Sequence, residues 1–385
     1  MRFQNFKSVF LRECRRIFTS RDLLLICFAA PLAYGIIFSY LYVNKRATGI
    51  NIGIINNDGS ALSRKLVRSL DAAPELKIAK TYGSPDEGYR GIFKNAVGAF
   101  YLIPRSFASN IKKGRAAPVF NASNASSFMI ASTVMRKAAA VSSEFPRRQF
   151  EKALVDKGYS YNAAKAAYSP LQADVRYIFN EQMNYSDFIL PCLLFAVLQQ
   201  ILLVAVCTTM SLEKSKKTGK ELITASGGSF AAMFLGKAAP YILIGIVINL
   251  ANIFLILPSG SVFAVSFAGL FILSTVFIAA VVFFAMLVSA LFASPEMALA
   301  ALMFYSFPAA MLSGMAWPHI ALPPVMKVIS YLFPSTYALT QLRLFILGDI
   351  PAAYSLIPSA QLALFAAACF ALPYLIRHRI VNEIR

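Results

Sequence analysis

Six stretches of the chain are apolar enough to cross a membrane, and one long polar stretch separates the first from the other five. The apolar stretches are residues 23–43, 188–212, 230–257, 267–292, 297–312 and 359–376. A helix needs about 20 apolar residues to cross the hydrocarbon core. The pattern therefore predicts an α-helical polytopic membrane protein with six transmembrane helices. No small-residue cleavage site follows the first stretch, so we interpret it as an uncleaved anchor.

The polar stretch, residues 44–187, alternates between strand and helix patterns. Strands are predicted at residues 50–56, 76–79, 97–103 and 175–179, and helices at 61–70, 86–94 and, rich in alanine, at 126–167. Ser60 follows a turn sequence and precedes an apolar periodicity, so it is the expected N-cap of the first helix. The alternation predicts an α/β domain inserted between transmembrane helices 1 and 2.

Residues 1–22 have the periodicity of an amphipathic helix. Six residues fall within one arc, with Arg12, Arg15 and Arg16 opposite them: Phe3, Phe6, Val9, Phe10, Cys14 and Ile17. This pattern favours an elbow helix that lies on the cytosolic leaflet and touches a partner. A simple topology anchor is the alternative. Arg21 and Asp22 mark the turn into the first span.

Composition indicates that the chain is a membrane protein, and charge indicates which side of the membrane each polar segment faces. Hydrophobic residues make up 58% of the 385 residues and charged residues only 14%, which is typical of an integral membrane protein. The net charge is +19, and the lysines and arginines near span ends cluster in residues 1–22, in 213–229 and after residue 376. By the positive-inside rule both termini, including the tail 377–385, and the loop 213–229 face the cytosol, which leaves residues 44–187 outside. A bacterial inner membrane is the expected location.

The cytosolic loop 213–229 mixes charges, helix formers and glycines, so it can form a short surface helix. A helix continuous with two spans is a surface on which a soluble motor can push. A solvated loop that carries only the positive-inside charge is the alternative. The sequence does not decide between them.

No catalytic or metal-binding pattern stands out. A GxxxxGK[ST] loop is absent, there are two histidines and no CxxC pair, and no basic run has the aromatic interleaving of a nucleic-acid site. We therefore expect no enzyme activity, metal or nucleic-acid partner. Within the spans ionisable groups are nearly absent, and Lys237 is expected to snorkel to the interface. This argues against an ion-driven carrier, which usually keeps charged residues at the midplane.

The fifth apolar stretch is short and ends at Ser313-Gly314, and Pro318 follows shortly after. Such a stretch is typical of a span that breaks and re-enters, because irregular backbone is tolerated at membrane depth where protein buries it. Residues 313–358 are therefore predicted to form a re-entrant region, with Ser313, Gly314 and Pro318 at an outer gate. An ordinary structured outer loop is the alternative.

Several short motifs occur in order along nearly the whole chain. They are Arg21-Asp22 with Pro31, residues 54–63, residues 213–222, Gly236-Lys237 with Pro240-Tyr241, and Leu312-Ser313-Gly314 followed by Pro318, Pro323, Tyr331, Pro334, Arg343 and Gly348. In this order they resemble the membrane subunits, or permeases, of ABC-2-type exporters. These are ATP-binding-cassette transporters whose ATPase is commonly a separate chain. Thr218-Gly219 inverts the Gly-Thr order usual in that family, and Pro191-Cys192 replaces a Pro-Gly.

The resemblance implies two permease copies, identical or not, and two ATPase copies that bind ATP and Mg²⁺, so this chain needs no cofactor of its own. It also implies that residues 213–222 fit a groove on the ATPase and tilt the bundle, residues 188–376, when ATP binds. The residues expected to couple to the ATPase are Glu213, Lys214, Thr218, Gly219, Glu221 and Leu222. The lipid bilayer is a further partner, and a periplasmic adaptor is left open.

The resulting hypothesis is an exporter subunit that moves a hydrophobic or amphipathic molecule, such as a drug or lipid, out through the dimer interface. The second and fifth spans are expected to line the path with Gln199, Gln200, Phe304, Phe307 and Met311. Simple helix packing is the alternative for each of these residues. Two other functions stay open from sequence: a secondary transporter, and an envelope scaffold or secretion component with no transport cycle.

Overall fold

The structure is a computed structural model that describes residues 2–41, 48–113, 115, 117–163, 185–215, 218–256, 267–292, 295–348, 350–375 and 377. The chain divides into two compact units. One contains Met1–Val43 and Tyr177–Arg385, which we call the helical unit, and the other contains Asn44–Arg176, which we call the sheet unit.

Among the described residues, helices and strands alternate in the sheet unit, whereas the helical unit is built of helices. The helices are α1 (Phe3–Thr19), α2 (Arg21–Leu41), α3 (Ala61–Asp71), α4 (Pro85–Phe93), α5 (Phe107–Lys112), α6 (Phe128–Val155), α7 (Tyr185–Ser215), α8 (Gly219–Ala225), α9 (Phe230–Ile256), α10 (Phe267–Leu291), α11 (Pro295–Leu312), α12 (Pro324–Ser330), α13 (Pro334–Leu347) and α14 (Leu356–Leu375). The strands are β1 (Ile50–Asn56), β2 (Leu76–Thr81), β3 (Ala99–Ile103) and β4 (Phe120–Ser123). Helix α2 includes a π-helical stretch at Leu25–Ala29.

The sheet unit is built on four strands in the order β2-β1-β3-β4, of which only β4 runs antiparallel to its neighbour. Because side chains alternate across a strand, Ile54 and Tyr101 point to one face and Ile55 and Phe100 to the other. The first face packs against α3 and α6, and the second packs against α4. The sheet is thus covered on both sides, which explains the near-continuous apolar runs of β1 and β3.

Most predicted elements of the sheet unit are confirmed. Strand β1 has the predicted bounds, and the Ser60 hydroxyl accepts a hydrogen bond from the Ser63 backbone N–H at 3.1 Å. A cap of this kind stabilises a helix by about 1 kcal/mol. The helices predicted at 61–70 and 86–94 and the strands predicted at 76–79 and 97–103 shift by one or two residues at their ends. The helix predicted at 126–167 is shorter, because α6 ends at Val155 and a turn follows. The strand predicted at 175–179 lies outside the described residues. That this unit lies outside the membrane stays a prediction.

Five helices in the described part of the chain are long and apolar enough to cross a membrane. They are Arg21–Leu41, Tyr185–Met210, Phe230–Phe254, Phe267–Leu291 and Ala352–Leu375. The predicted fifth span, residues 297–312, is the shorter apolar helix Glu296–Leu312. The six-span prediction is therefore not confirmed: the chain forms a helix at all six places, but α11 ends at Leu312 and falls short of the about 20 residues that a crossing needs.

Helix α10 forms the centre of the helical unit and packs against α7, α9, α13 and α14. Small residues allow the close approach: a Cβ at Gly269 would lie 2.5 Å from the Phe345 ring of α13. The same core contains one buried polar pair, in which the Asn249 amide of α9 donates to the Ser274 hydroxyl of α10 at 2.9 Å. Such interhelical hydrogen bonds help to hold helices together in an apolar environment.

Candidate functional site

A buried carboxylate, Glu213, lies near the end of α7. Its Oε1 accepts hydrogen bonds from Arg12 Nη1 at 2.6 Å and from Arg16 Nη1 at 2.5 Å. Its Oε2 accepts from Arg12 Nη2 at 3.1 Å and from the Thr218 hydroxyl at 2.5 Å. The guanidinium of Arg12 therefore binds both oxygens, a bidentate geometry that adds specificity as well as strength.

Lys237, near the start of α9, joins Glu213 to a second buried carboxylate. Its Nζ lies 3.1 Å from Glu213 Oε1 and 2.7 Å from Glu13 Oε2 of α1. The Tyr241 hydroxyl donates to the other oxygen of Glu13 at 3.0 Å. The side chains of Lys237 and Glu213 are only 2% and 1% exposed. Unpaired, each buried charge would cost several kcal/mol, so these groups stabilise the fold only as a set.

We call Glu13, Glu213, Lys237, Arg12 and Arg16 the ionic cluster. It connects α1, the end of α7 and the start of α9, and two close approaches let these elements meet. A Cβ at Gly236 of α9 would lie 2.7 Å from the Val9 Cβ of α1, and a Cβ at Gly227, after α8, would lie 2.4 Å from the Asn5 amide. Helix α1 therefore packs on α9 and also contacts both ends of the segment that contains α8.

Glu213 and Arg12 stay charged over the physiological pH range. Burial by itself raises the pKa of Glu213, but the hydrogen bond from Arg12 and the positive charges of Lys237 and Arg16 outweigh it and lower the pKa to about 2. Burial acts to lower the pKa of Arg12, whereas its bonds and proximity to Glu213 raise that pKa above its ordinary value. An opposite charge nearby favours the ionised form of both partners, so neutral pH does not switch this contact.

The residues predicted to couple to an ATPase differ in exposure. Gly219 and Leu222 lie on the buried side of α8, Thr218 is half-buried, and Glu213 lies inside the ionic cluster. The side chain of Lys214 lies outside the described residues. Glu221 is 72% exposed and pairs with Arg12 at 3.5 Å. Glu213 was predicted to couple to the ATPase. The structure shows that Arg12, Arg16, Thr218 and Lys237 occupy its oxygens, and its role in coupling stays a prediction. The exposed side of α8 instead carries Lys220, Glu221 and Thr224.

Helix α1 has three faces where the sequence pattern predicted two. Glu13, with Val9 and Ile17, forms the face buried against the bundle. Phe3, Leu11 and Phe18 are exposed apolar side chains on a second face, as an interfacial helix requires. Arg12 and Arg16, which the sequence pattern places opposite the apolar arc, reach Glu213, whereas Arg15 is exposed. Arg21 and Asp22 begin α2 and are both exposed.

One further expectation about charge is wrong, and one buried charge was missed. Lys237 does not snorkel to water, because its ammonium is enclosed by Glu13 and Glu213. Glu13 was not singled out by the sequence reasoning at all. The signal was present: a glutamate that occupies the same stripe as Val9 and Ile17, at spacings of four residues, faces the bundle and needs a buried cation.

The residues predicted to line the path lie on α7 and α11. Phe304 and Phe307 are 84% and 71% exposed, whereas Met311 is half-buried. The carboxamide oxygen of Gln200 accepts a hydrogen bond from the Ser306 hydroxyl, so α7 and α11 are joined beside this face. Gln199 is buried, and its Oε1 has no hydrogen-bond partner in the described structure. The structure thus brings Gln200 close to α11, and the role of all five residues in a path stays a prediction.

Helix α11 ends at Leu312, where the sequence predicts a break, whereas the re-entry of residues 313–358 stays a prediction. Ser313 is buried and its hydroxyl donates to the Ala310 carbonyl at 2.8 Å, and Gly314 has a φ of +84°, which favours glycine. A Cβ at Gly314 would lie 2.8 Å from a methyl carbon of Thr340 in α13. The exposed Pro318 precedes a 3₁₀ turn at His319–Ala321, and α12 and α13 follow. That these residues form a gate at the outer side of a membrane stays a prediction.

Comparison with known proteins identifies the class. A family model described as ABC-2 family transporter protein matches residues 21–375. The chain therefore belongs to the ABC-2 family of transporter proteins, and it is a multi-pass membrane protein. It is similar to the probable multidrug ABC transporter permease YbhS of Escherichia coli strain K12, at 22% identity over 90% of this chain and 89% of that protein. The protein of the same name from Escherichia coli O157:H7 matches equally.

Proposed function

We propose that this chain is the membrane subunit of an ATP-driven exporter. Two copies, identical or paired with a related chain, work with two copies of a separate ATPase that binds ATP and Mg²⁺. The complex lies in a bacterial inner membrane with both termini in the cytosol and the sheet unit outside. Membership of a permease family supports the partnership with an ATPase subunit, and the chain itself contains no Walker A loop.

The observation that carries this proposal is the attachment of α8. This helix lies between the charge-rich end of α7 and the start of α9, on the side that the positive-inside rule assigns to the cytosol. Its underside is buried through Leu222, its exposed side carries Lys220, Glu221 and Thr224, and Glu213 ties its leading end to α1 and α9. A motor that pushes on the exposed side therefore pushes on three helices.

The distribution of charge supports an external energy source. Among the described spans, α9 contains Lys237 near its cytosolic end, and the charge of Lys237 is paired with Glu13 and Glu213. Ion-driven carriers place unsatisfied ionisable groups at the substrate site near the midplane. A cation held between two carboxylates outside the middle of the bundle is a structural pairing, so secondary transport has the weaker support.

We further propose that the substrate is hydrophobic or amphipathic, a drug or lipid, and leaves between two copies of the chain along α7 and α11. The apolar exposed side chains of Phe304 and Phe307 beside the amide of Gln200 suit such a molecule, because ligand sites are mostly apolar with a few polar groups that fix orientation. The YbhS relative is named as a probable multidrug permease, which agrees with this substrate class. An adaptor on the outer side would contact the sheet unit.

The proposal is tested by purifying the chain in mild detergent from its native host and identifying what remains bound. The wild type is compared with the double variant Lys220→Glu/Glu221→Arg, which reverses both exposed charges of α8. Asp86→Arg, an exposed change in the sheet unit, is the matched control. We expect a nucleotide-binding ATPase with the wild type and the control and little with the α8 variant.

Each outcome has a definite meaning. An ATPase bound equally by all three proteins would place the motor contact somewhere other than α8. A wild type that is folded and binds no ATPase, yet supports gradient-driven flux in liposomes, would make it a secondary transporter. A wild type with neither property, bound to envelope proteins, would make it a scaffold or secretion component.

A further inference from the structure

The ionic cluster contains two residues that the contact surface for a motor does not use, Glu13 and Lys237. Both side chains are almost completely buried, at 0% and 2% exposure, so neither can touch an ATPase. In the described structure Lys237 is the cation of the cluster that bonds to both carboxylates, one from α1 and one from α7. Its position at the junction of three elements needs an explanation beyond packing.

Helix α1 is attached to the segment around α8 at several points. Arg12 bonds to the Glu213 carboxylate, lies 3.4 Å from the Thr218 carbonyl oxygen and pairs with Glu221. Asn5 packs against Gly227 beyond α8. The pair of Arg12 with Glu221 is exposed, and exposed ion pairs contribute little individually. The bond of Arg12 to Glu213 is open to solvent on the arginine side only. The buried contacts of Lys237 are the ones that solvent and salt screen least.

We infer that Glu13 and Lys237 are positioning residues for motor coupling: they lock α1, the α8 segment and the start of α9 into one body, so that force applied to α8 reaches the bundle without being lost in local movement. This inference rests on the proposed function. The hydroxyl of Tyr241 and the ammonium of Lys237 each bind one oxygen of Glu13, which leaves its carboxylate a single orientation. When a buried charge with partners on two sides is displaced, it loses one of those partners. A buried ion without a partner is costly, so little displacement is tolerated.

The inference has a test that does not need the ATPase. Spin labels are placed at Arg15→Cys of α1 and Thr224→Cys of α8, both exposed positions outside the cluster, in a Cys14→Ser background, since the other four cysteines are buried. The distance distribution between the labels is measured on the full chain in lipid nanodiscs. The variants are Lys237→Met and Lys237→Arg, and Lys220→Met is the control because it removes an exposed lysine of α8.

We expect a narrow distribution in the wild type and the control, a distribution roughly twice as wide in Lys237→Met, and recovery in Lys237→Arg, whose guanidinium can still bridge two carboxylates. Should Lys237→Met not fold, Glu13→Gln keeps the shape of the side chain and is expected to widen the distribution less. A distribution as narrow in Glu13→Gln and Lys237→Met as in the wild type would overturn the inference, because the three elements would then be held together without the cluster.

The second measurement separates this inference from the proposed function. With the co-purified ATPase present, Lys237→Met is expected to retain the ATPase while substrate efflux per ATP hydrolysed falls by about five- to tenfold, a size usual for a coupling residue, with the fluorescent drug ethidium as the probe. If Lys237→Met still binds the ATPase and its efflux per ATP hydrolysed is unchanged, the positioning role is overturned and the proposed function stands. Absence of the ATPase from the wild type would overturn the proposed function itself, and with it any role in coupling.

Discussion

Two parts of the helical unit differ in whether their side chains find partners within one copy of the chain. The ionic cluster joins five charged side chains, three of them buried, and its buried carboxylates find partners within the same chain. The exposed side of α11, with Phe304 and Phe307, leaves large apolar side chains uncovered. The first region is complete in one copy of the chain, whereas the second acquires its neighbours only from outside it.

The contrast shows which neighbours each region depends on. The ionic cluster depends on residues of its own chain, and the exposed side of α11 depends on other molecules. A network of buried charges has one low-energy arrangement and a large penalty for leaving it, so it suits a joint that must transmit force. An exposed apolar face has no preferred partner among lipid tails, a second copy and a substrate, and it can exchange them at small cost. The predictions below test this contrast from the largest expected effect to the smallest.

Removing Glu213 is expected to have the largest effect. Glu213→Ala leaves Arg12, Arg16 and Lys237 facing one another without their shared carboxylate, which should destabilise the protein by about 3–5 kcal/mol. Thermal unfolding in detergent measures the change. Glu221→Ala is the control: it removes a glutamate from the same segment whose pair with Arg12 is exposed, and it should cost about 0–1 kcal/mol. Equal effects would mean that the buried position of Glu213 has no special importance.

The close packing of α1 on α9 predicts a smaller loss. In Gly236→Ala the new methyl group would meet the Val9 Cβ, and the backbone carbonyl of Phe6 lies 3.2 Å away, so α1 must shift. Overpacking of this kind costs about 1–3 kcal/mol. Ala239→Val, a half-buried position on the same helix, is the comparison and should change the melting temperature less. An undisturbed melting temperature in Gly236→Ala would show that α1 is free to move away from α9.

The pH dependence of the cluster has a definite sign. The pKa of Glu213 is about 2 in the folded protein and about 4.5 for an ordinary glutamate, so its contribution is complete above pH 4.5 and is lost as the pH falls towards 2. The melting-temperature difference between wild type and Glu213→Gln should therefore stay constant from pH 7 to pH 5 and shrink below pH 4.5. A difference that already shrinks between pH 7 and pH 6 would contradict the low pKa.

The exposed aromatic face should show almost no effect on stability. Phe304→Ala and Phe307→Ala remove side chains that bury little surface within one copy, so each should change the stability by less than about 0.5 kcal/mol. If the path runs along this face, Phe307→Ala and Gln199→Leu should nevertheless lower efflux and the substrate stimulation of ATP hydrolysis at equal expression. Val247→Ala, another exposed apolar position in the bundle, is the control. Unchanged efflux in both variants would remove these residues from the path.

Local signals in the sequence predicted most of the sheet unit, but not α5 or β4. The bounds of β1 and the cap at Ser60 followed from a short apolar run, a turn and a serine, because turn chemistry and strand burial act over a few residues. Four of the five later predicted spans are likewise helices long and apolar enough to cross a membrane. Helix α11 is shorter, since hydropathy measures apolar character and the Ser313-Gly314 turn limits its length.

The candidate site was predictable only in part. The segment 213–222 was identified and Glu213 was named as a coupling residue, but its burial was not predicted. Its burial depends on Arg12 and Arg16, about two hundred positions earlier in the chain. Glu13 and Lys237 were equally remote from each other in sequence, and without a tertiary contact nothing pairs one charge with another.

By itself, the sequence determined the membrane character of the chain, the order of its apolar and polar segments, the local elements of the sheet unit and the resemblance to ABC-2 permeases. These follow from composition and from periodicities that extend over about 20 residues or fewer. The tertiary structure decided which charges are buried. That choice depends on α1, α7 and α9 meeting at one point, and only there does the cost of burying Lys237 become smaller than its attraction to two carboxylates.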